Sequence, residues 1–183
     1  MVTYTKDVLK DKYDSIGDYT YGTPTVMRSY PECTLTIGKF CSIGKNVVFA
    51  FWGKHAIEDI TTYPFQYLPG WPPVKSSPVE GENIYVGNDV WIANNVLILQ
   101  GANIGDGAVL GANSVIAGEI KPYTVVVGNP AISIKQRFND KEIKKLLEMK
   151  WWDWNIAGIR LALPVICSKK VDVLYEIWRH GCS

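Results

Sequence analysis

Histidine is scarce in this chain: of 183 residues only His55 and His180 are histidines. Neither stands beside a cysteine, and the four cysteines, Cys33, Cys41, Cys167 and Cys182, contain no CxxC pair. That spacing speaks against a structural zinc site and suits reduced packing thiols in a reducing compartment, so no metal is expected. An excess of charge is missing too. Nineteen Lys and Arg against eighteen Asp and Glu leave a formal net charge of +1, no electrostatic footprint for nucleic acid or an anionic membrane surface. No apolar run approaches the roughly 20 residues of a membrane span. The first fifteen residues, MVTYTKDVLKDKYDS, scatter charges where a secretory signal would place an apolar stretch. These absences lead to a cytoplasmic protein whose partners are small molecules or further copies of itself, with neither nucleic acid nor membrane among them.

What the chain does have is a period of six. Val86, Ile92, Ile98, Ile104, Leu110 and Ile116 follow one another at that interval without a miss, and small or β-branched residues recur at Val90, Val96, Ala102, Ala108 and Ser114. A helix needs apolar spacings of three and four, and an amphipathic strand needs two. Six suits a strand of about three residues and a tight turn, the aliphatic side chain pointing inward and glycine (Gly87, Gly105, Gly111) easing the corner. Three such units make one triangular coil, and stacked coils bury a ladder of aliphatic residues. An earlier stretch, Ile37-Gly38, Ile43-Gly44 and Phe49-Ala50, repeats the pattern, and Ile16-Gly17 reads as a degenerate first copy.

From Ile43 to Val86 the interval is not a multiple of six, so something interrupts the coils. The interruption, residues 52–83, carries Pro64, Pro69, Pro72, Pro73 and Pro78. It reads as an ordered excursion held by Trp52, Tyr63, Phe65, Tyr67 and Trp71. After Pro130 the character turns helical. Asp140 is placed to cap a helix with Ile143, Leu146, Leu147 and Lys150 on one face, and further helical segments break near Pro164 and end at Gly181. The expected organisation is mainly β: a parallel β-helix domain over residues 1–139 with a protruding loop, then a helical appendage over 140–183.

LTIGKFCSIGKNV, a loop histidine followed by TTYPF, VGNDVWIANNVLILQGANIGDGAVLGANSVI, VVGNPA with KQRF, and the tail LLEMKWWDW resemble one family. It is the xenobiotic acetyltransferases, type B chloramphenicol and streptogramin acetyltransferases, within the hexapeptide-repeat superfamily. The resemblance implies a left-handed β-helix, acetyl-CoA as cosubstrate, and a homotrimer with the donor in the groove between prisms. It also implies that the excursion presents His55 to a neighbour. The γ-class carbonic anhydrases share this solenoid but hold zinc with three histidines, which two cannot supply.

By the same resemblance His55 is the general base on a hydroxyl acceptor, work that the free pKa of histidine near ~6.5 suits; Glu58, three residues on, is the carboxylate placed to orient it as an acidic partner does in a triad, a departure from the aspartate common near this place in the family. His180 reads as exposed and idle. Trp91 corresponds to the tryptophan beside the reactive end of pantetheine, Asn94 and the Ala112 backbone to pantetheine contacts, and Gly128-Asn129 to the turn that closes the last coil on the donor. Lys135, with Arg137 as a second candidate, corresponds to the basic position at the nucleotide end. Backbone N–H groups at the tight turns are the expected oxyanion donors, and no GxSxG calls for a serine nucleophile. The acceptor is a hydroxyl of a small molecule or saccharide. YTYGTPTVMRSYPEC is shorter than the matching stretch of the antibiotic-acetylating members. That departure keeps a surface-polysaccharide or amino-sugar acetyltransferase, or a non-catalytic scaffold, as alternatives.

Overall fold

The computed structural model describes residues 2–181; Cys182 lies outside the described residues. After a short helix α1 (Thr5–Val8) come β1 (Asp14–Ile16) and β2 (Thr25–Arg28), then a first regular coil of β3 (Leu35–Ile37), β4 (Ser42–Ile43) and β5 (Val48–Phe51). The next coil is β6 (Ile84–Val86), β7 (Trp91–Ile92) and β8 (Leu97–Leu99), followed by β9 (Asn103–Ile104), β10 (Val109–Leu110) and β11 (Val115–Ile116). β12 (Glu119–Ile120) and β13 (Thr124–Gly128) begin a last coil, and β14 (Ala131–Gln136) doubles back beside β13. Three helices close the chain: α2 (Asp140–Met149), α3 (Ile156–Ile166) and α4 (Val171–Arg179).

The strands form three sheets, ordered β1-β3-β6-β9-β12, β4-β7-β10-β13-β14 and β2-β5-β8-β11. Every pairing is parallel except β13 with β14. Because each strand pairs with the one three units on, the six-residue period becomes a triangular prism. Ile92 stacks between Ile43 and Leu110, and Ile98 between Phe49 and Ile116.

The prism axis holds the core. The whole period-six series is buried, at 3% exposure or less, and so are Val90, Val96, Ala102, Ala108 and Ser114. Each fully buried aliphatic side chain contributes about 1.5–3 kcal/mol, and in a solenoid that stabilisation accumulates coil by coil. Ile16 packs against the same core from β1, as the degenerate first copy requires. Glycines after the aliphatic residues serve closeness rather than corner conformation. A Cβ on Gly105 would lie 2.5 Å from the Pro122 nitrogen, and one on Gly38 2.6 Å from the Gly87 carbonyl oxygen. Asparagine takes one row of left-handed corners instead: Asn46, Asn95 and Asn113 have φ near +60° and bond side chain to side chain at 3.0 and 3.1 Å.

The tail differs in detail from the sequence expectation. Asn139, not Asp140, caps α2: its side chain accepts from Glu142 N while Glu142 accepts from Asn139 N, both at 3.0 Å. Met149 with Leu146 forms the buried face, and Lys150 turns left-handed to end the helix. Pro164 does not break α3, which runs on to Ile166. The helices share a second core of Leu146, Met149, Trp154, Ile159, Val171 and Leu174, joined to the prism through Tyr123. A Lys39–Asp153 ion pair of 2.8 Å and the Phe40 and Trp151 rings, 5.0 Å apart, add to that junction. Cys33 and Cys41 are core thiols, Cys41 pushed up to about 12 by burial, whereas Cys167 is exposed rather than packed.

Candidate active site

Between β5 and β6 the chain leaves the prism and its only regular piece is a 3-10 turn at Phe65–Tyr67. The excursion is nonetheless tied together. Lys54 and Glu82 form an ion pair at its base. Asp59 accepts from Ser76 Oγ and Ser77 Oγ at 2.5 Å and from Ser77 N at 3.2 Å, bonds that hold its carboxyl below the usual range. The Tyr63, Phe65 and Trp71 rings pack in series with centroids 4.8 and 5.1 Å apart. These contacts hold the backbone on either side of His55.

His55 is exposed, and its Nδ1 lies 2.7 Å from the Thr62 carbonyl oxygen. A carbonyl only accepts, so Nδ1 carries the proton and the lone pair falls on Nε2. Sequence reasoning gave the orienting role to Glu58. The structure puts Thr62 O at Nδ1 instead, while Glu58 is exposed and has no hydrogen bond or ion pair among the described residues. The reason is local: the loop folds back seven residues, and a backbone acceptor needs no particular side chain, so nothing in the sequence marks it. His55 faces a hollow of about 670 Å3 walled by Tyr30, Thr61, Tyr67, Val74, Ser76 and Ser77, among others. Ligand pockets fall in this size range.

None of the six expected donor-binding residues lines that hollow. They gather on the prism. Trp91, Val109, Val125 and Lys135 are successive partners across β7, β10, β13 and β14, so they form one outward row. Trp91 keeps 56% of its surface exposed, the position of a side chain available to a ligand rather than packed. Three residues further along the chain Asn94 and Ala112 share the corner that Gly128 and Asn129 complete. Asn113 N donates to Asn94 O at 3.0 Å, and Gly128 N to Ser114 Oγ at 3.0 Å. The Asn94 side chain also has a structural duty, since its Oδ1 accepts from Lys45 N at 2.8 Å, an arrangement Asn88 repeats with Lys39 N.

Arg137 uses one guanidinium nitrogen within the chain. Its Nη1 donates to Gly107 O at 2.6 Å and sits 3.4 Å from Asp89 Oδ2, with the guanidinium 5.4 Å from the Tyr123 ring centroid. Burial pushes the Asp89 carboxyl up, against the opposing pull of Arg137. His180 is exposed and 3.8 Å from Glu176, away from both surfaces. Among the described residues no three His, Cys, Asp or Glu side chains come together as a metal site would need, and no helix is long and apolar enough to cross a membrane.

Three parallel sheets around an aliphatic interior, a histidine on an excursion and a tryptophan on an outer face define the class of hexapeptide-repeat transferases. Residues 83–118 match the family described as bacterial transferase hexapeptide (six repeats). A chloramphenicol acetyltransferase of Agrobacterium fabrum is 40% identical over 184 residues, covering 92% of this chain and 86% of its own. A probable macrolide acetyltransferase of Lysinibacillus sphaericus is 45% identical over 169 residues, covering 89% and 85%. Among solved structures, a hexapeptide-repeat acetyltransferase of Vibrio cholerae complexed with acetyl-CoA is similar at a TM-score of 0.54 and 28% identity. That match takes in 70% of this chain and 62% of the other, so it spans less than two thirds of that structure's length. The chain belongs to the xenobiotic acetyltransferase family of hexapeptide-repeat enzymes.

Proposed function

We propose that the protein transfers acetyl from acetyl-CoA to a hydroxyl of an antibiotic-like small molecule, with His55 as general base. The observation that carries the mechanism is the 2.7 Å contact between Nδ1 and the Thr62 carbonyl, which commits the free lone pair to Nε2 at the edge of a ligand-sized hollow. His55 takes the hydroxyl proton as the acceptor oxygen bonds to the thioester carbon, and returns it to the departing thiolate, so no charge accumulates over the cycle. Thr62 O fixes the ring; Glu58 is not needed for that. The acceptor class is supported by relatives whose names specify chloramphenicol and macrolides.

The chain's own residues fit the donor. Trp91 offers an exposed apolar face, the Asn94, Ala112, Gly128 and Asn129 corner offers backbone groups along the prism, and Lys135 offers a cation. When bound, acetyl-CoA supplies the activated acyl group. Since His55 and the donor residues line separate surfaces of one chain, we read the working unit as a homotrimer of left-handed β-helices. In it each excursion, residues 52–83 of a prism domain 1–139, brings His55 to a neighbour's donor face, and the 140–183 appendage packs against its own prism. A cytoplasmic setting agrees with a coenzyme-A thioester as donor.

The test is release of free CoA with chloramphenicol, a macrolide, a streptogramin and sugar acceptors, for wild type and His55→Ala. Acceptor-dependent release, reduced about a hundredfold or more in His55→Ala, is the expected result for loss of a general base. Release that survives the substitution unchanged would reject His55 as the base. Release with sugars alone would reject the antibiotic-like acceptor.

A further inference from the structure

The turn between α3 and α4 carries Ser168 and Lys169, which nothing in the hexapeptide pattern singles out. Together with Trp91, Val125 and Lys135 they line one hollow of about 640 Å3 between the outer face of the prism and the helical tail. Lys135 and Lys169 are both exposed, and neither side chain forms an ion pair or hydrogen bond among the described residues. Most other lysines of the chain likewise have no carboxylate partner among the described residues, Lys6, Lys39, Lys54 and Lys145 being paired, so what sets Lys135 and Lys169 apart is that both line this hollow. The one carboxylate lining the hollow, Glu142, is engaged in capping α2 through Asn139 N. Two uncompensated ammonium groups therefore face one cavity.

Distance along the sheet says what they face. Trp91 and Lys135 are three strand steps apart in register, about 14 Å at ordinary strand spacing. That is comparable to an extended pantetheine arm. A thioester held at Trp91 brings the phosphate groups of its nucleotide end to Lys135, where the α3–α4 turn closes the hollow. We propose that Lys169 joins Lys135 in clamping the phosphates of the acyl-CoA donor, so that the helical tail forms part of the donor site; the Ser168 hydroxyl, which donates to Val165 O at 2.6 Å and accepts from Lys170 N at 3.1 Å, holds the turn that carries Lys169. Lysine acts there as a mobile point charge, suited to a polyphosphate with several anionic oxygens. This rests on the acetyl-CoA reading above.

Calorimetric titration of CoA, 3′-dephospho-CoA and pantetheine into wild type, Lys169→Ala and Lys169→Arg separates the two ideas. Wild type binds CoA, Lys169→Ala binds it about three- to tenfold more weakly with a shallower dependence on salt, and Lys169→Arg stays near wild type. Pantetheine binds all three proteins alike. If the deficit of Lys169→Ala disappears with 3′-dephospho-CoA, the contact is to the 3′-phosphate; if it persists, the contact is to the diphosphate. Equal CoA affinity in wild type and Lys169→Ala overturns the clamp and leaves the acetyl-CoA reading standing. Failure of wild type to bind CoA overturns both. Lys169 is exposed and unpaired, so thermal unfolding of the alanine variant is expected to match wild type.

Discussion

Single residues in this protein often serve the prism before they serve the chemistry. Asp89 occupies a left-handed corner at φ +54°, in a row that Phe40 precedes and Gly107 and Tyr123 follow. A Cβ on Gly107 would meet the Tyr123 ring at 2.4 Å, which leaves room at that corner only for glycine. Crowding there raises Asp89, because burial penalises its ionised form more than Arg137 rewards it. The sign follows. A carboxyl with a raised folded-state pKa takes up its proton in the folded protein before the unfolded chain does, so its contribution is full below the ordinary carboxylate range and is lost as pH rises through the raised value. Asp89→Asn, an approximate copy of the protonated form, is therefore expected to unfold at a higher temperature than wild type near neutral pH. The advantage should shrink on acidification toward the ordinary carboxylate range. Melting curves across that interval check it, and a variant less stable than wild type at neutral pH would show that the Arg137 pairing outweighs burial.

Elements differ in how clearly their residues announce them. The short strands were legible because an inward aliphatic residue every six positions is a pattern that neither a helix nor a plain strand produces. The boundaries of the tail were less so: Asn139 and Asp140 are both good caps, and only the reciprocal bonding with Glu142 decides between them. Pro164 falls late in α3 and the helix continues past it for two residues, a tolerance no local rule reveals. Removing the cap tests its weight. Asn139→Ala leaves the Glu142 N–H without its side-chain acceptor and is expected to cost about 1 kcal/mol, measured by urea unfolding, with Asn139→Asp close to neutral. Since Glu142 also lines the hollow that holds Lys135 and Lys169, a frayed first turn should weaken CoA binding as well.

At the scale of the whole molecule the candidate site was only half legible. His55, Trp91 and Lys135 could be named because each matches a family position, but the Thr62 carbonyl at His55 and the Lys169 ammonium beside Lys135 arise from chain folding and carry no motif. The division of the site is likewise a property of the fold. Within one chain the histidine hollow and the donor face share no lining residue, which supports the proposed placement of one protomer's excursion against another's prism. A head-to-tail ring makes such a site from two different chains at each contact, and this leads to a quantitative expectation. His55→Ala removes the base and Ala112→Trp obstructs the donor corner, so each homotrimer should be nearly inactive. When the two variants are unfolded together and refolded at equal ratio, about a quarter of contacts join an intact His55 to an intact neighbouring donor face, and activity should return to about that fraction of wild type. Separately refolded variants mixed afterwards should stay inactive. No recovery in the co-refolded sample would mean that each chain completes its own site, and the excursion would then have to swing onto its own prism.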